Sequence, residues 1–191
     1  MRIGILGAGT MAGALGGGWV RAGHDVVLGG RNAARTTAQA KRIGAAAGSF
    51  ADAASHGEVV LLAVRSEAVP EVLAAAGPLT TILIDCTNDD WTRPITPTPY
   101  QRLAATVPTV VKGFNLCHES IWRADPPMAG LLVPLCGDPV AVATVSPLVT
   151  DLGYVPVDAG RDGHLLDAAA TLLIGLWMKG VDPRDALPMP L

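Results

Sequence analysis

The chain has 191 residues, of which 50% are hydrophobic and 16% charged, and a formal net charge of −3. This length and composition predict one domain, or one domain with a small appendage, that can bury a substantial core. The negative charge and the lack of a basic cluster argue against a nucleic-acid partner. The longest apolar stretch, residues 168–178, is too short to span a bilayer, and the first residues resemble a strand rather than a signal peptide, so we expect a cytoplasmic protein.

The cysteines and histidines are scattered. The three cysteines form no C-x-x-C pair, and the four histidines form no H-x-x-x-H pair. This distribution predicts reduced thiols and no metal site.

The first 35 residues carry the most informative pattern. A short apolar strand leads into G-x-G-x-x-A at Gly7, Gly9 and Ala12, followed by a small-residue helix over 13–22 and a second strand over 25–30. In this context the glycine pattern is typical of a dinucleotide-binding site, and the alternative is a structural glycine turn. Gly7 permits the tight turn, Gly9 lets the backbone approach a pyrophosphate, and Ala12 keeps the helix close to the strand. The helix N-terminus supplies free N–H groups to the phosphates.

The end of the second strand predicts NADP rather than NAD. An NAD site usually has a carboxylate there for the ribose hydroxyl, and an NADP site has a cation. Here Arg31 and Asn32 end the strand, Arg35 follows one helical turn later, and Asp25 lies at the opposite end. Two guanidinium groups can bind a 2′-phosphate dianion. The alternative is that both arginines are solvated charges at the start of a helix.

Strand and helix patterns alternate through most of the remaining chain. We expect strands at 46–50, 58–64, 81–86, 109–114, 131–136 and 154–157, and helices at 33–47, 67–76, 101–105 and 140–152. Residues 89–99 contain three prolines and predict a loop. This alternation predicts an α/β fold with a Rossmann-type, doubly wound, mostly parallel sheet. We assign residues 1–160 to an NADP-binding domain.

The last predicted helix, residues 162–179, has two adjacent apolar stripes. One contains Leu165, Ala169, Leu172 and Leu176, and the other contains Leu166, Ala170, Leu173 and Trp177. This surface is wider than one sheet face normally covers. Either the helix is buried within the monomer or it forms a subunit interface. We expect residues 161–191 to form a C-terminal helical appendage, with an extended tail, that pairs with its copy in a two-fold symmetric homodimer.

Seven segments of the chain together resemble one family. They are GILGAGTMAGALG at 4–16, GGRN at 29–32, VVLLAV at 59–64, ILIDCTN at 82–88, VVKGFN at 110–115, LCGDP at 135–139 and DLGYVPVDAG at 151–160. With them the chain resembles the small NADP oxidoreductases typified by the coenzyme F420-dependent NADP reductases. The glycine-rich half alone is also similar to pyrroline-carboxylate reductases, imine reductases and the cytosolic domains of membrane ferric reductases.

The resemblance implies a cofactor site that runs along the carboxyl ends of the strands. Its residues are Gly7, Gly9, Thr10, Met11, Ala12, Arg31, Asn32, Arg35, Ala63, Val64, Arg65, Thr87, Asn88 and Asn115. Thr87 and Asn88 correspond to the family's pair beside the nicotinamide ribose, with Asp89 in place of a proline. Gly30 replaces the family's serine, which softens the expected preference for NADP. Arg65 replaces a proline, and it either reaches a second anionic group or lies in solvent.

Hydride transfer between two rings requires close stacking and exclusion of water more than acid–base groups. The catalytic candidates are therefore weak. By the resemblance, Asn115 is a hydrogen bonder that orients the ring, because some relatives have a histidine there near the deazaflavin. His118 is either a general acid for an imine or carbonyl substrate or a surface histidine. Trp91 belongs to a loop that forms either a lid or a stiff crossover.

Two functional hypotheses remain open at this point. The first is an NADP(H)-dependent oxidoreductase that transfers hydride between NADPH and a planar acceptor, deazaflavin F420 or a flavin, or a small unsaturated metabolite. The alternative is a non-catalytic NADP-binding protein that senses redox state or assists assembly. A test of turnover separates the two.

Overall fold

A parallel α/β sheet organises the computed structural model, which describes residues 1–90, 92 and 96–185. The strands are β1 Arg2–Leu6, β2 Asp25–Gly29, β3 Ala46–Gly48, β4 Val59–Leu62, β5 Ile82–Asp85, β6 Val110–Lys112, β7 Leu132–Gly137 and β8 Val155–Asp158. The helices are α1 Thr10–Arg21, α2 Ala33–Ile43, α3 Phe50–His56, α4 Val69–Ala76, α5 Pro99–Ala104, α6 Glu119–Trp122, α7 Pro139–Thr150 and α8 His164–Met178.

The strand order is β3-β2-β1-β4-β5-β6-β7-β8. The first six strands are parallel to one another, β7 pairs antiparallel with β6, and β8 is parallel to β7. The order reverses beside β1, because β2 lies on one side of it and β4 on the other. Ligands bind at such a switch point in open α/β sheets. The predicted fold class, a Rossmann-type and mostly parallel sheet, is confirmed.

Helices cover both faces of the sheet. One buried cluster joins α1, α6 and α7 to the strands, and it includes Trp19, whose Nε1 donates to the carbonyl of Leu148 at 2.9 Å. The other cluster joins α3, α4 and α5, with Phe50, Val72 and Leu103 buried against β4 and β5. Because β1 and β4 lie between these two layers, they are continuous apolar runs rather than alternating ones.

Several predicted boundaries were wrong. The helix expected over 33–47 ends at Ile43, because Gly44 has a φ of 78° and closes it with a left-handed cap. The strand expected over 46–50 stops at Gly48, and the unpredicted helix α3 follows. A capping box between Ser49 and Asp52 begins α3. The four-residue helix α6 was also not predicted.

The last helix packs partly against its own sheet. Leu166 and Ala170 are buried with Cys136 of β7, while Leu173 and Trp177 of the same stripe are half-buried. On the other stripe Leu165 and Leu172 are 56% and 66% exposed. The homodimer and the division near residue 160 stay predictions.

Within the described part of the chain, the helices are too short or too polar to cross a bilayer. The same residues contain no cluster of three metal-ligating side chains.

Candidate functional site

The glycine-rich turn lies at the switch point, between the end of β1 and the start of α1. Gly7 has a φ of 133°, and a Cβ atom there would collide with the carbonyl oxygen of Ala63. Gly9 has an ordinary extended conformation, with φ −88° and ψ −166°, and a Cβ atom there would meet no atom within 4 Å. Gly7 is therefore required by the fold, whereas the space beside Gly9 is open.

The N-terminus of α1 adjoins this open space. Gly9 is the N-cap and provides no side-chain acceptor for the first N–H groups, and the first turn has no acidic residue. These N–H groups and the helix dipole favour an anion. Ala12 is fully buried, so the helix lies close to the sheet, while Thr10 is exposed at the first position. The geometry fits the pyrophosphate of a dinucleotide.

Arg31 follows β2 and reaches across the switch point. Its Nη1 lies 3.3 Å from Oε2 of Glu71 on α4, and its side chain is 76% exposed. An exposed ion pair of this kind contributes only about 0–1 kcal/mol. A phosphate dianion can therefore replace Glu71 as the partner of Arg31.

Arg35 lies beside a cavity of about 400 Å³ between the glycine-rich turn and α2. Gly9 and Thr10 line one side, and Arg35, Gln39 and Arg42 line the other. The Nε2 of Gln39 donates to the carbonyl of Gly9 at 3.3 Å, and Arg42 donates to Gln39 at 2.7 Å. Sequence reasoning missed the last two residues, although their spacing from Arg35 places all three on one helix face.

Asn32 has a structural function at the start of α2. Its Oδ1 accepts from the backbone N–H of Arg35 at 2.9 Å, which makes it the N-cap of the helix. Asp25 lies at the opposite end of β2, where it pairs with His56 at 3.4 Å. The strand end that faces the cofactor site thus presents cations and no carboxylate of its own.

A buried charge cluster lies where β5 and β6 end. The Nζ of Lys112 is 2.8 Å from Asp85, 2.7 Å from Asp167 and 2.6 Å from the carbonyl of Thr87. Burial alone would lower the pKa of Lys112, but the two carboxylates outweigh it and raise the pKa, so the ammonium stays charged. Sequence reasoning missed this cluster.

Asn88 and Asn115 bind each other beside the cluster. The Nδ2 of Asn88 donates to the Asn115 carbonyl at 2.9 Å, and the Nδ2 of Asn115 donates to Oδ1 of Asn88 at 3.0 Å. Asn115 also donates to the carbonyl of Leu166 at 3.1 Å and is only 1% exposed. Asn115 thus lies beneath α8, and its ring-orienting role stays a prediction. Asn88 is the half-buried member of the pair.

The remaining candidates are peripheral. Arg65 is 88% exposed and lies 3.9 Å from Glu67, while Ala63 and Val64 are half-buried. His118 caps α6, and its Nε2 lies 3.0 Å from Glu119. Both ring nitrogens of His118 therefore have protein partners. Trp91 lies outside the described residues.

Two further features concern substrate chemistry. Burial raises the pKa of Cys86 and of Cys117 to about 12, so neither thiol supplies a thiolate nucleophile near neutral pH. A mainly apolar cavity of about 330 Å³ lies between α4 and α5. Its lining includes Ser66 and Thr87, which follow β4 and β5 at the carboxyl edge of the sheet.

Comparison with known proteins agrees with this geometry. Residues 2–89 match the family described as NADP oxidoreductase, coenzyme F420-dependent. Over these residues the chain is similar to that family. The predicted resemblance is thus confirmed, and the matched residues include the glycine-rich turn, both arginines and the Thr87–Asn88 step.

Individual proteins extend the likeness beyond residue 89. A structure from Arthrobacter sp. FB24, described as an F420-dependent NADP reductase, is 26% identical, covers 94% of each chain and has a TM-score of 0.77. Metalloreductase STEAP3 from Rattus norvegicus is 32% identical over 173 residues, which are 83% of this chain and 34% of the relative. This chain therefore spans about a third of that relative's length.

A reductive aminase from Aspergillus terreus, solved with NADPH4, cyclohexanone and allyl amine, shares the fold. It is 19% identical, covers 92% of this chain and 60% of its own, and has a TM-score of 0.71. At this identity the likeness extends to the fold alone.

Proposed function

We propose that this protein is an NADPH-dependent oxidoreductase whose cofactor lies along the carboxyl edge of the sheet. It transfers hydride between NADPH and a planar acceptor, deazaflavin F420 or a flavin, or a small unsaturated metabolite. The observation that carries the proposal is the uncapped N-terminus of α1, which adjoins open space at Gly9. Similarity to an NADP oxidoreductase family over residues 2–89 supports it.

Different residues along this edge bind different parts of the cofactor. The pyrophosphate lies against the glycine-rich turn, which consists of Gly7, Gly9, Thr10, Met11 and Ala12. Because no carboxylate ends β2, the two arginines bind the 2′-phosphate of NADP, as charge-assisted hydrogen bonds of this kind are strong. Asn32 holds Arg35 in place by capping α2. The loop after β4, with Ala63, Val64 and Arg65, borders the same edge.

In this proposal the protein orients the cofactor and the acceptor and provides no acid or base. NADPH provides the hydride when bound, and the protein must hold the two reacting rings together and exclude water. The Thr87–Asn88 step is proposed to lie beside the nicotinamide ribose. The protonated thiols and the engaged nitrogens of His118 agree with a reaction that needs no protein nucleophile.

F420 is the first acceptor to test. Both the family description and that of the Arthrobacter relative name it. The apolar cavity that borders Thr87 offers room for an uncharged part of an acceptor.

The experiment follows the near-ultraviolet absorbance of NADPH after mixing with F420, with a flavin, and with a panel of imines and carbonyls. We expect the absorbance to fall with at least one acceptor. The Gly9→Val variant is the matched control, and it should give no turnover. Tight NADPH binding without turnover across the whole panel would instead favour the non-catalytic, redox-sensing alternative.

We also propose that the protein is a cytoplasmic homodimer that pairs through α8. The exposed Leu165 and Leu172 on that helix support the pairing, and three buried, free cysteines agree with a reducing compartment. Light scattering should give twice the mass of one chain. Leu172→Glu, at an exposed position, should give a folded monomer, and a monomeric wild type would contradict the pairing.

A further inference from the structure

We propose that the buried Lys112–Asp85–Asp167 cluster is a positioning device for the nicotinamide end of the cofactor site. The three residues act through the Thr87–Asn88 step and the first turn of α8 and do not touch the ligand themselves. This inference rests on the proposed function, which places the nicotinamide beside Thr87 and Asn88.

The cluster restrains the backbone at Thr87 from both sides. The Oδ1 of Asp85 accepts from the N–H of Thr87 at 2.8 Å and from its hydroxyl at 2.7 Å. Lys112 donates to the carbonyl of the same residue at 2.6 Å. All three polar groups of Thr87 are therefore bound to the cluster, which leaves the chain little freedom as it enters Asn88.

The same cluster fixes the start of α8. Asp167 lies 2.7 Å from Lys112 through Oδ1, and its Oδ2 accepts from the N–H of Tyr100 at 3.0 Å. The preceding residue, Leu166, accepts from Asn115. Two adjacent residues of α8 are thus tied to β6 and to the loop after it, so α8 cannot shift without disturbing the cluster.

The backbone before Asn115 is in an uncommon conformation. Phe114 has a φ of 63°, and it is held between the rings of Trp19 and Trp122, whose centroids lie 5.8 Å and 5.5 Å from its own. A left-handed bulky residue persists only where its surroundings enforce it. This conformation presents Asn115 to both Asn88 and Leu166, and the Oδ1 of Asn115 has no hydrogen-bond partner among the described residues.

Stability alone explains such a cluster poorly. Buried ion pairs lose most of their Coulomb attraction to desolvation, and apolar residues of similar size often replace them without loss. Here one ammonium and two carboxylates are all buried, and each is bound to a segment that borders the candidate nicotinamide site. The cluster therefore fixes the positions of these segments more than it adds to the free energy of unfolding.

The test separates the nicotinamide end from the rest of the cofactor. Affinities for NADPH and for 2′-phospho-ADP-ribose, which lacks the nicotinamide, are measured for wild type and for Asp167→Asn. The asparagine NH2 must face either Lys112 or the N–H of Tyr100, and both are donors. We expect the preference for NADPH over the fragment to fall about tenfold, the equivalent of about one hydrogen bond, with fragment affinity unchanged.

Thr87→Val provides a second variant should Asp167→Asn fail to fold. It removes the hydroxyl bond to Asp85 at nearly constant volume, and the preference for NADPH should fall severalfold. Thr87→Ser retains the hydroxyl, so its preference for NADPH over the fragment should equal that of the wild type.

Tyr154→Phe is the control for lost stability. It removes a buried hydrogen bond of 2.7 Å to the carbonyl of Ile121 and leaves every hydrogen bond of the Lys112 cluster and of Asn115 in place. It should lower the melting temperature and leave the NADPH preference intact. An unchanged preference in Asp167→Asn, or an equal fall in Tyr154→Phe, would overturn the positioning role. Equal affinity of the wild type for NADPH and for the fragment would overturn the positioning role as well. Failure of the wild type to bind either ligand would instead contradict the proposed function itself.

Discussion

The two ends of the candidate cofactor site are built in opposite ways. At the β1–β2 end the groups that would bind a ligand are open, with empty space beside Gly9 and an Arg31 side chain that is mostly in solvent. At the β5–β6 end the charged groups of the Lys112 cluster are buried and bound to one another. At the first end Gly9 and Arg31 can contact a ligand directly and are not needed to hold the unliganded fold. At the second end the cluster acts by fixing the geometry of the segments around it.

This difference predicts that substitutions at the two ends have different signatures. At the open end, substitutions of Gly9 and Arg31 should change ligand affinity and leave the free energy of unfolding nearly unchanged. At the buried end they should change stability first.

The largest expected effect is on stability, at the buried end. Lys112→Met leaves two carboxylates buried without a cation, which should lower the free energy of unfolding by about 3–5 kcal/mol. Urea-induced unfolding measures this loss. Lys179→Met makes the same change at an exposed position, where we expect a shift within about 0.5 kcal/mol. Equal stability of the two variants would show that the cluster is not a constraint.

At the open end, Gly9→Val should abolish NADPH binding, weakening it by at least about 100-fold, because the side chain fills the pyrophosphate position. The fold should survive, since the backbone at Gly9 is extended and a Cβ atom meets nothing within 4 Å. NADPH titration and a thermal melt measure the two effects. Normal binding by this variant would refute the assignment of the glycine-rich turn.

Arg31→Ala should weaken the binding of NADPH but not that of NADH. Loss of a charged hydrogen bond to the 2′-phosphate should weaken NADPH binding by about 1.5–3 kcal/mol and leave NADH binding almost unchanged. Arg161→Ala is the matched control, because its side chain is 73% exposed and also pairs with an acidic residue, Asp138. An equal loss for both cofactors would exclude Arg31 from the phosphate site.

The smallest effect concerns Glu71, the present partner of Arg31. Glu71→Gln should free the guanidinium and tighten NADPH binding by less than about 1 kcal/mol, the range of an exposed ion pair. The effect should vanish when Arg31 is already alanine. A double-mutant cycle on NADPH affinity measures this coupling, and a gain that persists without Arg31 would contradict it.

The open end was predictable because its signals are local. The glycine pattern, the missing carboxylate and the two arginines lie within 35 consecutive residues, in a strand–turn–helix context. The alternation of strands and helices along the sequence was enough to predict the mostly parallel sheet. It did not predict that β7 pairs antiparallel with β6. Helix α3 could have been predicted from its capping box, but the small residues before it were read as a longer strand.

The buried end depends on tertiary contacts. Asp85 and Lys112 are register partners on adjacent strands, and a sequence clue exists, because ionisable residues within two apolar runs need a partner when buried. Asp167 offers no such clue, since its contact depends on where α8 docks. The same docking buries Leu166 and Ala170, and periodicity alone does not say whether the sheet or a partner chain covers such a stripe.

The central claim is that this edge of the sheet binds NADP(H) through the glycine-rich turn and recognises its 2′-phosphate. Calorimetric titration of the wild-type protein with NADPH and NADH, under identical buffer and salt, tests it most directly. NADPH should bind at least about tenfold more tightly than NADH, which is the minimum expected from one charged hydrogen bond to the phosphate. Equal affinity for the two cofactors, or no binding of either, would contradict it.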